Sequence, residues 1–528
     1  MASIFKLLLT CLLLLALACG DDSDANVDDG GDGDTPDAGM GPGAEPDPLP
    51  ELGLTTNATL APVSTPADTP DDRFPLEPED RASMLEDGLG DEMGADGEPY
   101  LTRVMGDADT PPPGEGRELI ARFAHLPDLQ LTDDESPARA VNFDNATLFA
   151  GAFRPQESYL CHMTNAMVRT LNEVHADHPL DFVLLGGDNA DNAQSNEVDW
   201  VLQILGGADE VECDSADDTD LVEGPDNDGK DPFEAPGLDV PFYWVTGNHD
   251  ILAQGTAPLS EEYMTAVVGE LPVEGFACRD FSIEGGPMTM EGPVPADPDR
   301  FFLSREALME RVAGHDDGHG VGDDQVESGK AIYTVDVEGT PLRLLVLDTA
   351  AETGAAEGVI HQADIDAAIG PALDQAVENG KWVILASHHA VSSLGNGGGF
   401  MGVVQEDAVT QEDWLALIGS YPNVLFSMVG HSHVNRVRAL GDGHQFWELT
   451  TSALADYPHQ ARIVEIWDQD NGWVMLRATQ VDFDVTDDPI AAEGRRRGVM
   501  DFVSGWNPDG SGELEDRNVE LWIEEPDL

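Results

Sequence analysis

The stretch Val245-Thr246-Gly247-Asn248-His249-Asp250 decides the fold, because it follows an apolar run from Val240 that is typical of a buried strand. It places an amide and an imidazole side by side at the end of that strand. Loops at the carboxyl ends of sheet strands are where α/β proteins usually place their chemistry. Taken alone, Gly247-Asn248-His249-Asp250 is also consistent with an ordinary turn, since glycine and asparagine are common turn residues. The partners in the rest of the chain decide between the two interpretations.

Four further apolar runs, at residues 119–124, 182–185, 382–387 and 424–429, also end in polar side chains. The candidate ligands after them are Asp128, Gln130, Asp188, His388, His431 and His433. Each alone is more often a cap, a strand end or a solvated loop residue. Together with Asn248 they form a series of oxygen and nitrogen donors at strand ends. Carboxylate, amide and imidazole ligands without thiolate suit Mn, Fe or Zn, so the series predicts a metal site.

The charge balance excludes several classes of partner. The 528 residues include 103 acidic and only 25 basic residues, for a net charge of −78. This argues against nucleic acid as a partner, since phosphate binding depends on Lys and Arg, and against adsorption to anionic lipid. Such a surface attracts cations and stays soluble in concentrated salt, so a saline habitat is a hypothesis.

The first 19 residues predict an export signal. Lys6 precedes an apolar run at residues 7–18, which is too short for a permanent membrane helix but right for a signal segment. Small residues before Cys19, followed by an acidic stretch, resemble a bacterial lipoprotein signal, in which the cysteine receives lipid. A plain secretory signal cut near Ala18 is the alternative. The prediction is an exported protein, anchored through lipid at Cys19 on the periplasmic face or cell surface and otherwise secreted.

Composition divides the remaining chain into three parts. The stretch from residue 20 to about residue 70 is acidic and rich in glycine and proline, and it cannot bury enough apolar surface to fold. A calcium-binding role for its aspartates stays open. Residues 71–115 are ambiguous between tether and folded domain. The predicted parts are a mostly disordered tether (20–115), a folded α/β domain (116–487) with surface insertions (about 206–237 and 255–328), and an acidic C-terminal tail (488–528).

The cysteines add little to this division. Beyond the signal only Cys161, Cys213 and Cys278 remain, an odd number without CxxC spacing. That pattern excludes a thiolate zinc site and a disulfide scaffold, and it leaves one disulfide among the three open.

Taken in order, the strand-end clusters resemble the signature of the calcineurin-like metallophosphoesterase superfamily. That signature is Asp-x-His, Gly-Asp, Gly-Asn-His-(Asp/Glu), a strand-end His, and Gly-His-x-His. The matching motifs here are Asp128-Leu129-Gln130, Gly187-Asp188, Gly247-Asn248-His249-Asp250, His388 and Gly430-His431-Ser432-His433. The resemblance covers about residues 118–485. It implies a four-layer α/β/β/α sandwich with a two-metal centre between the sheets.

The resemblance also implies a ligand set and a mechanism. One ion would be held by Asp128, Gln130, Asp188 and His433, and the second by Asp188, Asn248, His388 and His431, with Asp188 bridging. Two such cations lower the pKa of a bridging water and clamp the phosphoryl oxygens, so that hydroxide attacks phosphorus. His249 would stabilise the transferring phosphoryl group or protonate the leaving group, with Asp250 orienting it.

The departure from the signature is Gln130, which stands where the superfamily usually has histidine. A carboxamide oxygen is a harder and weaker donor than imidazole, so this site is expected to hold its ion less tightly and to favour Mn. Asp-x-Gln also occurs in some branches, including bacterial exported members, and is interpreted as a variant. The residues expected to support the ligands without touching the ions are His125, Asp191, Asn192 and Asp348.

The leading hypothesis is a dinuclear metal-dependent hydrolase of small-molecule phosphate esters. Phosphomonoesters, phosphodiesters and nucleotide diphosphates are all open as substrates. The alternative is a non-catalytic, metal-binding surface lipoprotein on the same fold, which the near-complete ligand set disfavours. A calcium-stabilised adhesion role for the acidic tether rests on composition alone.

Overall fold

The structure, a computed structural model, describes residues 53–147, 149–216, 228–283, 285–441 and 443–526. The predicted export signal with Cys19, and the first part of the predicted tether, lie outside these ranges. Within them, no helix is both long enough and apolar enough to cross a bilayer.

Two mixed sheets form the centre of an α/β fold. The larger sheet has seven strands in the order Leu101–Val104, Val519–Glu524, Trp473–Asp482, Gln460–Asp468, Glu118–Leu126, Phe182–Leu185 and Phe242–Tyr243. The smaller sheet has six strands in the order Tyr333–Asp336, Leu342–Val346, Trp382–Ala386, Val424–Val429, Phe446–Thr450 and Arg436–Leu440. In each sheet the strands that precede the predicted ligands run parallel, so their carboxyl ends share one edge.

The two sheets contribute to one apolar core. Phe182–Leu185, Trp382–Ala386 and Val424–Val429 are buried along their whole length, as strands covered on both faces must be. Phe123 of the larger sheet stacks on Phe426 of the smaller one, with ring centroids 6.4 Å apart. The α/β class is therefore confirmed, and the four-layer sandwich stays a prediction.

Helices and short hairpins surround the sheets. The helices are Pro78–Glu86, Leu160–Asp177, Ser195–Gly206, Glu261–Ala266, Arg305–Ala313, Asp323–Ser328, Gln362–Asp364, Gly370–Glu378, Gln411–Ile418 and Pro489–Val503. A π-helical turn, Ile365–Ile369, joins the seventh of these to the eighth. The two-stranded pairs are Ala58–Pro62 with Glu92–Asp96, Ala208–Val211 with Phe233–Ala235, and Cys278–Arg279 with Met288–Thr289.

The folded part extends past the predicted boundary at residue 487. The segment expected to be an acidic tail contains the helix Pro489–Val503 and the strand Val519–Glu524. That strand lies inside the larger sheet, between Leu101–Val104 and Trp473–Asp482. Its side chains explain the difference: Leu521 and Ile523 enter the main core, although acidic residues flank the strand. The high acid content of the segment conceals this apolar pattern.

The described part of the predicted tether is also folded. It contains the helix Pro78–Glu86 and the strand Leu101–Val104. A few side chains attach it to the domain. Buried Arg81 donates to the carbonyl oxygen of Gly285 at 2.6 Å, and Trp506 donates its indole N–H to the carbonyl oxygen of Arg73 at 2.8 Å. Composition did not reveal these contacts, because each joins residues more than 200 positions apart.

Among the described residues there is one disulfide, a possibility that the cysteine pattern had left open. Cys161 in the helix Leu160–Asp177 is bonded to Cys213, and Cys278 is free and buried. The bond fastens the start of the predicted insertion at 206–237 to a core helix.

Candidate metal centre

The predicted ligands lie at the carboxyl ends of strands from both sheets and come together in space. A carboxylate oxygen of Asp128, one of Asp188 and a ring nitrogen of His388 all lie within 4.8 Å of one another. The two carboxylates follow strands of the larger sheet, and the histidine follows Trp382–Ala386 of the smaller one. The group therefore joins the adjacent edges of the two sheets.

The individual distances show which side chains pair. His388 Nε2 lies 3.0 Å from Asp188 Oδ2, and His433 Nε2 lies 3.3 Å from Asp128 Oδ1. His431 donates its backbone N–H to Asp128 Oδ2 at 3.1 Å, and its ring centroid is 5.1 Å from that of His388. Asp128, Asp188 and the three histidines thus form one continuous cluster.

Besides Asn189 Oδ1, two predicted ligands have a buried amide oxygen without a hydrogen-bond partner in the described part of the chain: Gln130 Oε1 and Asn248 Oδ1. Both side chains are about 1% exposed. Asn248 is oriented by its Nδ2, which donates to the carbonyl oxygen of Gly255 at 2.9 Å. A buried acceptor without a partner costs about 1–3 kcal/mol, and a divalent cation would remove that cost. The donor set therefore fits the metal ions that the sequence predicts.

Five of the predicted ligands have a left-handed backbone: Asp128 (φ 53°), Gln130 (φ 44°), Asp188 (φ 53°), His431 (φ 68°) and His433 (φ 56°). Residues other than glycine rarely adopt this conformation, which costs about 1–3 kcal/mol each and concentrates at functional sites. The strand-end loops thus hold these side chains in place at the expense of local stability.

Two of the histidines are oriented through their second ring nitrogen. His388 Nδ1 donates to the carbonyl oxygen of Gly186 at 2.8 Å, and His433 Nδ1 donates to Asp456 Oδ2 at 2.6 Å. Metal-binding histidines usually donate this nitrogen to a carbonyl or carboxylate oxygen, which leaves the other nitrogen as the ligand. In both rings here that other nitrogen is Nε2, the atom beside Asp188 or Asp128.

His389 is also near His388 and His431, but its ring nitrogens are engaged elsewhere. Nδ1 contacts Thr349 Oγ1 at 2.9 Å, and Nε2 lies 3.1 Å from the carbonyl oxygen of Ala356. Because neither nitrogen is left over, His389 is a structural residue, and His388 is the available ligand of the pair.

His249 lies at the rim of the cluster, with its side chain 17% exposed. Its Nδ1 donates to the carbonyl oxygen of Asp191 at 2.7 Å, and its Nε2 lies 4.0 Å from Asp188 Oδ2. Burial lowers the pKa of His249, but the carboxylates of Asp188 and Asp191 outweigh burial and hold the pKa above its usual value. Its free nitrogen is thus positioned beside the predicted bridging carboxylate.

Asp250 has a different role from the one predicted. Its carboxylate accepts from the backbone N–H groups of Gly247 at 2.8 Å, Asn189 at 2.9 Å and Ala190 at 3.0 Å. It therefore ties together the loops after two neighbouring strands, and it is not the group that orients His249. Asp191 contacts that ring instead, with Oδ1 3.3 Å from Nδ1.

The close approach of these two loops also requires glycine at position 247. A Cβ atom at this position would lie 2.1 Å from Asp188 Oδ1, so any larger residue would displace that carboxylate. The glycine of the Gly-Asn-His-Asp motif is thus a consequence of the close approach of the two loops.

Of the four residues expected to support the ligands, Asp191 contacts His249. The other three bind residues outside the predicted set: Asp348 binds Arg305, Asn192 accepts from the backbone of Gln254, and His125 contacts Thr451. Their polar character at strand ends made them candidates, but the structure uses them to hold neighbouring loops.

Arg154 and Asp456 were not among the predicted site residues. Arg154 Nε donates to Asp456 Oδ1 at 2.9 Å, and Arg154 Nη1 lies 3.4 Å from Asp191 Oδ1. One buried guanidinium therefore joins the carboxylate at His433 to the carboxylate at His249. The sequence carries no signal for this connection, because Arg154 and Asp456 are 302 positions apart.

Comparison with known proteins gives distant structural similarity only. No family model matches the chain, and no curated protein matches it. A dimetal phosphatase from Danio rerio is 12% identical, with a TM-score of 0.38, over 70% of this chain and 100% of its own. GAP50, the anchor in the inner membrane complex of Plasmodium, is 11% identical, with a TM-score of 0.28, over 75% of this chain and 97% of its own. Similarity this distant does not assign the chain to a family.

Proposed function

We propose that this chain is a dinuclear metal-dependent hydrolase of phosphate esters. The observation that carries the proposal is the pair of buried, unpartnered acceptors, Gln130 Oε1 and Asn248 Oδ1, within the described residues. The residues that carry them adjoin Asp188 through the backbone: the backbone N–H of Gln130 donates to the Asp188 carbonyl oxygen at 2.9 Å, and His249, which follows Asn248, donates its backbone N–H to Asp188 Oδ1 at 2.8 Å. Oxygen acceptors without donors beside a carboxylate are a site for cations.

Two ion positions are proposed, with the ligand sets that the resemblance to the calcineurin-like metallophosphoesterases implies. One ion would be held by Asp128, Gln130, Asp188 and His433, and the other by Asp188, Asn248, His388 and His431. Bound there, two divalent cations supply charge neutralisation at the phosphoryl group and activate water. Carboxylate and amide donors at the first position favour Mn, and the histidines at the second also suit Fe or Zn.

His249 is the proposed proton-transfer group. Its Nδ1 is fixed by the Asp191 carbonyl oxygen, which leaves Nε2 to hold a proton beside Asp188 and pass it to the leaving oxygen of the substrate. Asp250 takes no part in the proton transfer, and supports catalysis by fixing the loops that carry Asp188 and Asn248.

The decisive experiment combines metal counting with hydrolysis of an aryl phosphate and an aryl phosphodiester in the presence of Mn. We expect two ions per chain at this centre and turnover of at least one substrate. His249→Ala should retain both ions and lose about 10²- to 10⁴-fold in kcat, the usual contribution of a positioned acid or base. Asn248→Ala should lose metal. His178→Ala, at a half-buried helix end, is the matched control and should change neither quantity.

Two bound ions without turnover of any phosphate ester would instead establish the alternative, a non-catalytic metal-binding lipoprotein. A chain that binds no Mn at all would refute both functions.

We also propose that the protein is exported and anchored through lipid at Cys19. The Cys161–Cys213 disulfide supports export, because disulfides persist in oxidising compartments. Cys19→Ala should move the protein from the detergent phase to the aqueous phase in a partitioning assay. Unchanged partitioning would contradict the anchor. The substrate is proposed to be a small phosphate ester, and the net charge of −78 argues against nucleic acid.

A further inference from the structure

A second group of candidate metal ligands lies in the loop after the helix Arg305–Ala313. His315, Asp316 and His319 each offer a ligand atom, and these atoms all lie within 4.8 Å of one another. His315 Nδ1 is 2.8 Å from His319 Nε2 and 3.5 Å from Asp316 Oδ2. An ion bound at about 2.0–2.2 Å holds its ligand atoms roughly 3–4 Å apart, so small shifts would admit one.

The second ring nitrogen of His319 lies close to a carboxylate. His319 Nδ1 lies 3.2 Å from Asp317 Oδ1, while Nε2 faces His315. Nδ1 is buried and has no hydrogen-bond partner among the described residues, so Asp317 acts on the ring through its negative charge. The spacing of His315 and His319, with three residues between them, also falls in the range common for paired zinc histidines.

The fold holds His319 rigidly. Its side chain is 4% exposed, and its ring stacks on Phe242 with centroids 3.6 Å apart. Its carbonyl oxygen accepts from the backbone of Trp244 at 3.1 Å and lies 3.2 Å from the hydroxyl of Tyr333. Like the ligands of the first centre, His319 (φ 50°) and Asp316 (φ 42°) have left-handed backbones. Rigid positioning of one ligand reduces the entropy lost on binding an ion.

His315 provides the side open to solvent. It is partly exposed and lines a cavity of about 570 Å³ together with Gly314 and Arg311. An ion can therefore reach the site without unfolding the loop. Asp316 and Asp317, whose side chains are 63% and 62% exposed, add negative charge beside His315 and His319.

We propose that His315, Asp316 and His319 bind one zinc-type divalent ion, separate from the candidate dinuclear centre. Two imidazoles and a carboxylate are a set that suits zinc. The ion would close the loop that follows Arg305–Ala313, and His319 of that loop packs on Phe242 of the strand Phe242–Tyr243. Since that strand leads to Asn248 and His249, the site would stabilise the edge of the larger sheet from behind. This proposal does not depend on the hydrolase function.

The test is a difference in zinc stoichiometry on the full chain. Protein stripped with a chelator is loaded with Zn²⁺, dialysed, and analysed for bound zinc. We expect His315→Ala and His319→Gln each to hold one ion fewer per chain than the unmodified protein. His178→Ala, the control for loss of a histidine elsewhere, should hold the same number. Thermal unfolding in Zn²⁺ is the second readout, and the part of the zinc-induced rise in Tm due to this site should disappear in His315→Ala.

Equal zinc content in the unmodified protein and in His315→Ala would overturn the proposal. The contact between His315 and His319 would then be only a hydrogen bond between the two rings. His315→Ala is decisive even where His319→Gln fails to fold, because His315 is partly exposed and lies outside the core. Because the comparison is between variants, the result is the same whether the dinuclear centre is full or empty.

Discussion

Replacing Asp456 with asparagine tests whether the buried carboxylate controls the metal site through His433. Asp456 Oδ2 lies 2.6 Å from His433 Nδ1, and Oδ1 accepts from Arg154 Nε at 2.9 Å. In Asp456→Asn the new side chain would keep one oxygen for Arg154, but its NH₂ group would face the N–H of His433. The histidine would then lose the acceptor that directs its Nε2 toward Asp128.

The expected magnitude follows from comparable supporting contacts. Loss of a carboxylate behind a metal-binding histidine weakens metal binding by about 10- to 100-fold, which is about 1.4–2.7 kcal/mol. Loss of hydrogen bonds to a charged group should also lower the free energy of unfolding by about 1.5–3 kcal/mol. The two effects are separable, because metal binding is measured on the folded fraction only.

The assay is calorimetric titration of metal-free protein with Mn²⁺, with circular dichroism to confirm folding. Asp482→Asn is the matched control, because Asp482 also lies in the larger sheet, is half-buried, and contacts Gln460 and no histidine among the described residues. Asp456→Asn should raise the Kd of one ion, whereas Asp482→Asn should leave it unchanged. An unaltered Kd in a folded Asp456→Asn protein would refute the role given to His433 or to its carboxylate partner.

Three further predictions concern stability. Reduction of the Cys161–Cys213 disulfide, which spans 52 residues, should lower the free energy of unfolding by about 4 kcal/mol in denaturant titrations, and a reductant should have no effect on the double alanine variant. Burial raises the pKa of Glu92 and of Asp144 to about 7, so the folded state keeps protons that the unfolded state releases. The free energy of unfolding should therefore fall as pH rises from about 4.5 to 7, and each of the two groups should contribute up to about 1.4 kcal/mol per pH unit. The double variant Glu92→Gln, Asp144→Asn should show a flatter dependence on pH. An unchanged slope would contradict the pKa shifts. Phe426→Ala, between the two sheets, should cost about 3–5 kcal/mol by denaturant midpoint at constant m-value, and a cost below about 1 kcal/mol would exclude the described packing.

Strands with a local signal were predictable from the sequence. The apolar runs at 182–185, 382–387 and 424–429 correspond to the strands Phe182–Leu185, Trp382–Ala386 and Val424–Val429. A strand covered on both faces has to be apolar throughout, so its composition reveals it without knowledge of its neighbours. Because the parallel strands end at shared edges, the order of the motifs also indicated which polar side chains come together.

The features that depend on distant pairing were not predictable. Arg154 and Asp456 support the candidate site through contacts that span 23 to 302 residues, and no local pattern identifies such pairs. The strand Val519–Glu524 was missed for a related reason. Its acidic surroundings indicate a solvated tail, and only its two neighbours in the sheet explain why it is ordered.

The position of Val519–Glu524 also determines the order in which the larger sheet can be completed during synthesis. Leu101–Val104 pairs with this strand in parallel, yet the two are separated by about 400 residues. At ribosomal rates of about 5–20 residues per second, the earlier strand waits about 20–80 s for its partner. Its backbone is open to wrong pairing throughout that interval. Nascent chains halted before residue 519 should therefore be cleaved near Leu101–Val104 by a protease that leaves the finished protein intact.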